Sequence, residues 1–173
     1  MKTKQIFKTM NIVSWIVFIG FCIKAGAITI VSVMSLSGHT NATKDLYMGI
    51  DLSNIYAFNS AHFICVVLLL VLMASLKAYI FYLLIHVFKH MDFNHPFNDV
   101  VMALIFKISY VALSVGLLGI IGKAYTTWLA SKVVFAQIDI EASAYIFMAG
   151  VVFIIASLYR RAIEIQSENE LTI

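Results

Sequence analysis

AHFICVVLLLVLMASLKAYIFYLLIHV, residues Ala61 to Val87, contains one lysine and no Arg, Asp or Glu. A helix rises about 1.5 Å per residue and a bilayer's hydrocarbon core is about 30 Å thick, so roughly 20 apolar residues suffice to cross it. This stretch is longer than that. Three comparable runs accompany it: Asn11 to Leu36, Val100 to Gly122 and Ala142 to Tyr159. Backbone polar groups find no water in lipid, so each run must satisfy its hydrogen bonds internally, as a helix. The expected fold is all-α, an integral membrane four-helix bundle forming one four-span domain over residues 1–173.

Composition agrees. The chain is 62% hydrophobic and 12% charged, with a mean hydropathy of +0.95, whereas soluble domains are about half apolar and a quarter charged. No polar stretch is long enough for a separate soluble domain. The single proline, Pro96, falls between the second and third runs, so no run carries a proline break.

The net charge of +3 matters less than its placement. Lys2, Lys4 and Lys8 precede the first run, Lys89 lies between the second and third, and Arg160 with Arg161 follows the fourth. The opposite loops mix Lys44, Lys123 and Lys132 with Asp45, Asp51, Asp139 and Glu141. Cytoplasmic loops carry the excess of Lys and Arg, which places both termini and the Pro96 turn in the cytoplasm. The stretch after Lys8 is too long for a signal-peptide core and lacks a small-residue cleavage site, so it is expected to remain as a span. Cys22 and Cys65 fall inside apolar runs as small hydrophobes, not as a structural disulfide.

Between the first two runs, 38–60 reads as an ordered or half-ordered outer loop. Tyr47, Tyr56, Tyr125 and Trp128 are expected as anchors at the headgroup level. Asn41-Ala42-Thr43 matches the glycosylation pattern, a short and frequent one that would mean nothing if the chain were bacterial. Residues 132–139 suggest a short extended piece on the same side.

Lys24 falls near the middle of the first span, where a lysine costs about 2.5 to 3.5 kcal/mol unless it faces a partner or a wet cavity. Lys77 and Lys107 are expected at similar depth on a helical hairpin, with long stems that let their ammonium groups snorkel. The three are the candidate contacts for an anion or solute. No Asp or Glu lies deep in any span, which argues against a proton-driven carrier.

At the turn, His86 and His90 share a helix face, and Asp92 or His95 would complete a zinc-type site. Gly116, Gly119 and Gly122 recur every third residue and point to close helix packing, with Gly20, Gly26 and Gly150 in the same role. No nucleophile sits beside a base and no glycine loop cradles phosphate, so neither an enzyme nor a cofactor is expected.

Asn94-His95-Pro96-Phe97-Asn98, after an aromatic helix and before one bearing a lysine, resembles the Pro-Phe turn of a bacterial membrane family called domain of unknown function 2975. The ending, Arg160-Arg161 and then Ile165-Gln166-Ser167-Glu168-Asn169-Glu170-Leu171-Thr172-Ile173, is similar to that family's tail. The order of four spans matches too. Gly or Lys before the Pro-Phe pair is common in the family, where this chain has Asn94-His95. The resemblance implies a multi-pass protein of the bacterial inner membrane without an established activity, whose gene often adjoins one for a small helix-turn-helix regulator.

It therefore implies a cytoplasmic protein partner, held by Pro96, Phe97, Arg160, Arg161, Glu168, Asn169, Leu171 and Ile173. Leu171 and Ile173 would supply apolar anchors, while Glu164, Glu168 and Glu170 would meet a basic surface. Direct nucleic-acid binding is not expected. The alternatives are a small anion or solute carrier, with Lys24 and Lys107 facing one water-filled interior, and an oligomeric structural protein built on the glycine stripe.

Overall fold

The computed structural model describes residues 2–91, 98–132 and 142–170. They form α1 (Lys2–Leu36), a 3-10 turn (Thr40–Lys44), α2 (Ser53–Phe58), α3 (Ser60–His90), α4 (Asp99–Ala130) and α5 (Ala142–Glu170), with no strand among the described residues. Four of these helices are long and apolar enough to cross a membrane. Each extends the apolar run at one or both ends, so helical rods project past the hydrocarbon.

The helix ends follow local chemistry. The Asn59 side chain accepts from Ala61 N–H at 2.7 Å and opens α3. Asn98 does two things: its Oδ1 accepts from Val101 N–H at 2.8 Å to cap α4, and its Nδ2 donates to the His90 carbonyl at 3.1 Å. That residue thus fastens the end of α3 to the start of α4. After α1, His39 N–H bonds the Met34 carbonyl and Gly38 N–H the Ser35 carbonyl. This is a Schellman ending, which needs the positive φ of 104° that Gly38 supplies.

Packing is between neighbours: α1 on α3, α3 on α4, and α4 on α5. Among the described residues no other pair of long helices brings Cα atoms within 8 Å, although α3 and α5 meet through longer side chains, as Lys77 does Tyr145. On α1, Asn11, Ser14, Phe18, Phe21, Ala25, Ile28, Ser32 and Ser35 alternate spacings of three and four, and all are buried or half-buried. That is the seam of a left-handed helix pair. Its small hydroxyls let the backbones approach, and Ser14 and Ser35 bond the carbonyls of Met10 and Val31 at 2.9 Å.

The α4–α5 crossing uses smaller residues still. Ala142, Ala149 and Ala156 lie seven apart on α5 and are all buried. Ser109 and Gly116 face them from α4. Ser109 Oγ donates to the Ala149 carbonyl at 3.0 Å, and a Cβ on Gly116 would meet Ile146 Cγ1 at 2.5 Å and Ile146 N at 3.1 Å. The glycine stripe Gly116, Gly119 and Gly122 is therefore buried as expected. Gly20, Gly26 and Gly150 are not: nothing lies within 4 Å of a Cβ built on any of them, because they sit on faces turned away from the neighbouring helix.

Two apolar cores result. One joins α3, α4 and α5 around Leu83, Val101, Ile108, Ala112 and Val115. The other, at the far end, contains Leu46, Leu52 and Ile55 from the segment between α1 and α3, packed with Ile28, Phe63, Val66 and Leu129. The loop is a plug wedged among helix ends rather than a solvated connection. Its tip, Tyr47 to Ile50, turns through Met48 and Gly49 at φ 48° and 89°. Ile50 N–H bonds the Tyr47 carbonyl, and Gly49 N–H bonds Asp45 Oδ1 at 2.9 Å.

Candidate functional site

Each span lysine ends over an aromatic ring. Lys24 Nζ stands 5.9 Å from the Tyr47 ring centre, Lys77 Nζ 4.6 Å from Tyr145, and Lys107 Nζ 5.6 Å from Tyr79. The negative face of a π system stabilises a cation, more so where water is scarce. In spans without deep carboxylates, rings take the place that acids would hold. Lys77 and Lys107 lie close in depth along the α3–α4 pair, as expected for the hairpin.

The three lysines reach three different tyrosines. Lys77 lines a cavity of about 200 Å³ between α3 and α5, with Phe81, Tyr145 and Met148 among its walls. Lys24 and Lys107 do not line it. Lys24 turns instead toward Tyr47 in the plug between α1 and α3. The tyrosines expected as headgroup anchors are engaged too: Tyr47 by Lys24, Tyr56 edge-on against Phe63 at 5.2 Å, and Tyr125 through its hydroxyl to His62 Nδ1 at 2.7 Å. Trp128, 47% exposed, remains available to an interface.

His86 and His90 both direct Nδ1 at a backbone carbonyl one turn back, Tyr82 at 3.0 Å and His86 at 2.9 Å. A carbonyl only accepts, so Nδ1 carries the proton in each. The rings are stacked, 6.3 Å apart and inclined by 20°. His95 and Asp92 lie outside the described residues, and among the described residues no three His, Cys, Asp or Glu gather to hold a metal.

A ring ladder that sequence reading missed continues from these histidines into the bilayer. Tyr82 lies 4.3 Å from His86, Tyr79 stacks on Tyr82 at 6.0 Å, and Phe18 of α1 meets Tyr82 at 6.1 Å. Trp15 packs edge-on against Phe18, and Lys89 Nζ stands 6.0 Å from the Trp15 ring. The signal was present as rings at i, i+3, i+7 and i+11 of α3, from Tyr79 to His90.

In the tail, Arg160 Nε and Arg161 Nη1 grip the two oxygens of Glu164 at 3.2 and 3.1 Å. Glu164 is therefore engaged within its own helix, and both arginines remain well exposed. Ser109 lies level with Ala149, so ten residues nearer the turn Asp99, where α4 begins, lies level with Tyr159. Beyond Arg160, α5 continues to Glu170 past Asp99, the first residue of its packing partner α4. Glu168 lies on that extension. Pro96, Phe97, Leu171 and Ile173 lie outside the described residues, as does the side chain of Asn169 and the suggested extended piece beyond Lys132.

The profile of the family described as "Protein of unknown function (DUF2975)" matches residues 47–173. The chain belongs to this family. The match takes in the loop tip, α2 and the three spans α3 to α5, and leaves α1 outside it. No curated protein and no solved structure matches the chain. This DUF2975 protein is thus a multi-pass membrane protein by its four spanning helices.

Proposed function

We propose that this DUF2975 protein is a membrane-embedded regulatory or interaction protein of the bacterial inner membrane, with both termini in the cytoplasm. Its Pro96 turn and its tail hold a cytoplasmic partner, a small helix-turn-helix regulator. The observation carrying this reading is the α5 extension. From Arg160 to Glu170 it reaches about 16 Å beyond the start of α4, farther than a span requires. Grip of Glu164 by two arginines one turn away supports helix continuation in water. The distribution of Lys and Arg supports the orientation.

The test is affinity capture from solubilised membranes of cells expressing the tagged chain together with the adjacent regulator. The full chain is expected to retain the regulator, and a chain lacking Glu168 to Ile173 to lose it. Equal capture by both would overturn the tail's role. The carrier alternative receives no matching support, since the span lysines meet separate tyrosines.

A further inference from the structure

We propose that the face where α1 and α3 meet, at the end of the bundle bearing Lys89, binds one anionic glycerophospholipid. This goes beyond the partner reading and does not depend on it.

At 100° per residue, Ser75, Ala78, Tyr79, Tyr82, His86, Lys89 and His90 fall within about 120° of one another on α3. None is acidic. The upper part of this face forms one wall of a groove of about 480 Å³, whose other wall is Phe18, Cys22 and Ala25 of α1. The residues lining the groove are uncharged, and Lys107 of α4 stands 5.6 Å from the ring of Tyr79 among them. Past Tyr82, where the groove ends, the same face carries the ring ladder through His86 and His90, and Lys89 Nζ reaches back to within 6.0 Å of the Trp15 ring of α1. Tyr82 and Trp15 are each 41% exposed, so a molecule in the surrounding lipid can reach them.

Chemistry selects the occupant. An apolar slot that ends in a cation suits a molecule with an acyl chain at one end and a negative charge at the other. A soluble anion would leave the slot unused, and a zwitterionic lipid would bring its own cation beside Lys89, offsetting the attraction of its phosphate. From Ser75 to His90 the face is about 22 Å long, close to half a hydrocarbon core plus a headgroup layer. Basic pockets between membrane helices are recognised sites for anionic headgroups.

The histidines refine the match. Their Nδ1 protons are committed to the Tyr82 and His86 carbonyls, so in the neutral ring Nε2 accepts. A phosphate diester only accepts, whereas a headgroup hydroxyl donates. Lys89 would thus take the phosphate, and a histidine Nε2 a hydroxyl, the pairing that a phosphatidylglycerol offers.

The chain has two tryptophans, so Trp128→Phe leaves Trp15 as the sole reporter at this site. That protein is reconstituted in phosphatidylcholine bilayers containing equal small fractions of either brominated-acyl phosphatidylglycerol or brominated-acyl phosphatidylcholine. The glycerol lipid is expected to quench Trp15 more strongly. Lys89→Gln should lower that preference about fivefold, the worth of one lysine near an anionic surface, while Lys89→Arg should keep it. Lys77→Gln, on the α5 side of α3, should not change it. Equal quenching by the two lipids, indifference to Lys89→Gln, or an equal loss with Lys77→Gln would each overturn the proposal. So would relief of quenching by excess soluble glycerol phosphate, which would mark a site for soluble anions.

Discussion

Gly116 lies so close to Ile146 that a single added carbon would come within 2.5 Å of its side chain and 3.1 Å of its backbone nitrogen. Ile146 branches at Cβ and sits in a helix, so its Cγ1 has little freedom to withdraw. The α4–α5 crossing depends on that missing side chain. Gly116→Leu should cost about 1–3 kcal/mol by overpacking. Thermal unfolding in detergent is the measurement, with Gly150→Leu, where nothing lies within 4 Å, as the tolerated comparison.

Ser109 crosses the same interface by a buried hydrogen bond to the Ala149 carbonyl. Interhelical bonds of this kind contribute about 0.6 kcal/mol on average in membranes. Ser109→Ala should therefore lower stability only slightly, and Ser109→Leu much more. Equal losses would mean that polarity rather than size governs the crossing.

The plug between α1 and α3 should behave as core. Leu52 and Ile55 are 0% exposed, and truncating buried aliphatic residues to Ala costs about 2–5 kcal/mol. Leu52→Ala and Ile55→Ala are expected to lower the unfolding temperature and open residues 38–59 to protease from the loop side. Met48→Ala, at a position 85% exposed, should do neither.

Asp51 links that loop to pH. Hydrogen bonds from the Ser53 hydroxyl and from Ser53 N–H at 2.8 Å hold its carboxyl below the ordinary aspartate value. A lowered folded pKa means that this contribution is present above the unfolded pKa and is lost as pH falls through the folded one. Loop protection from protease should fall in that acid range, and Asp51→Asn should remove this part of the pH dependence.

Lys107 and Tyr79 allow the cation–ring pairing to be measured. A double-mutant cycle with Lys107→Met and Tyr79→Leu should give a coupling of about 0.5–1 kcal/mol, with larger values if the pair is fully desolvated. Zero coupling would mean that the 5.6 Å approach contributes nothing.

Hydropathy made the four spans readable because lipid leaves a long apolar run only one fold. The ends of the spans were less readable, since helices continue into water where no hydropathy signal marks them. The seam on α1 was written in the alternation from Asn11 to Ser35, yet its polar members hide it from a hydrophobic scan. Lys24 and Tyr47, or Lys77 and Tyr145, meet across separate elements, and no local spacing encodes such pairs. The plug was obscured for another reason: Leu46, Leu52 and Ile55 are scattered through a polar stretch, and only the gap between helix ends makes them core.

Leu129 sits in the same cluster as Ile28 and the buried loop residues. The ribosome makes the loop some seventy residues before that leucine, roughly two spans earlier in synthesis. The plug therefore has to wait, incompletely covered, until the end of α4 has emerged and entered the bilayer. Maturation on that side of the membrane is then a late event, gated by insertion of the third span rather than by the first hairpin.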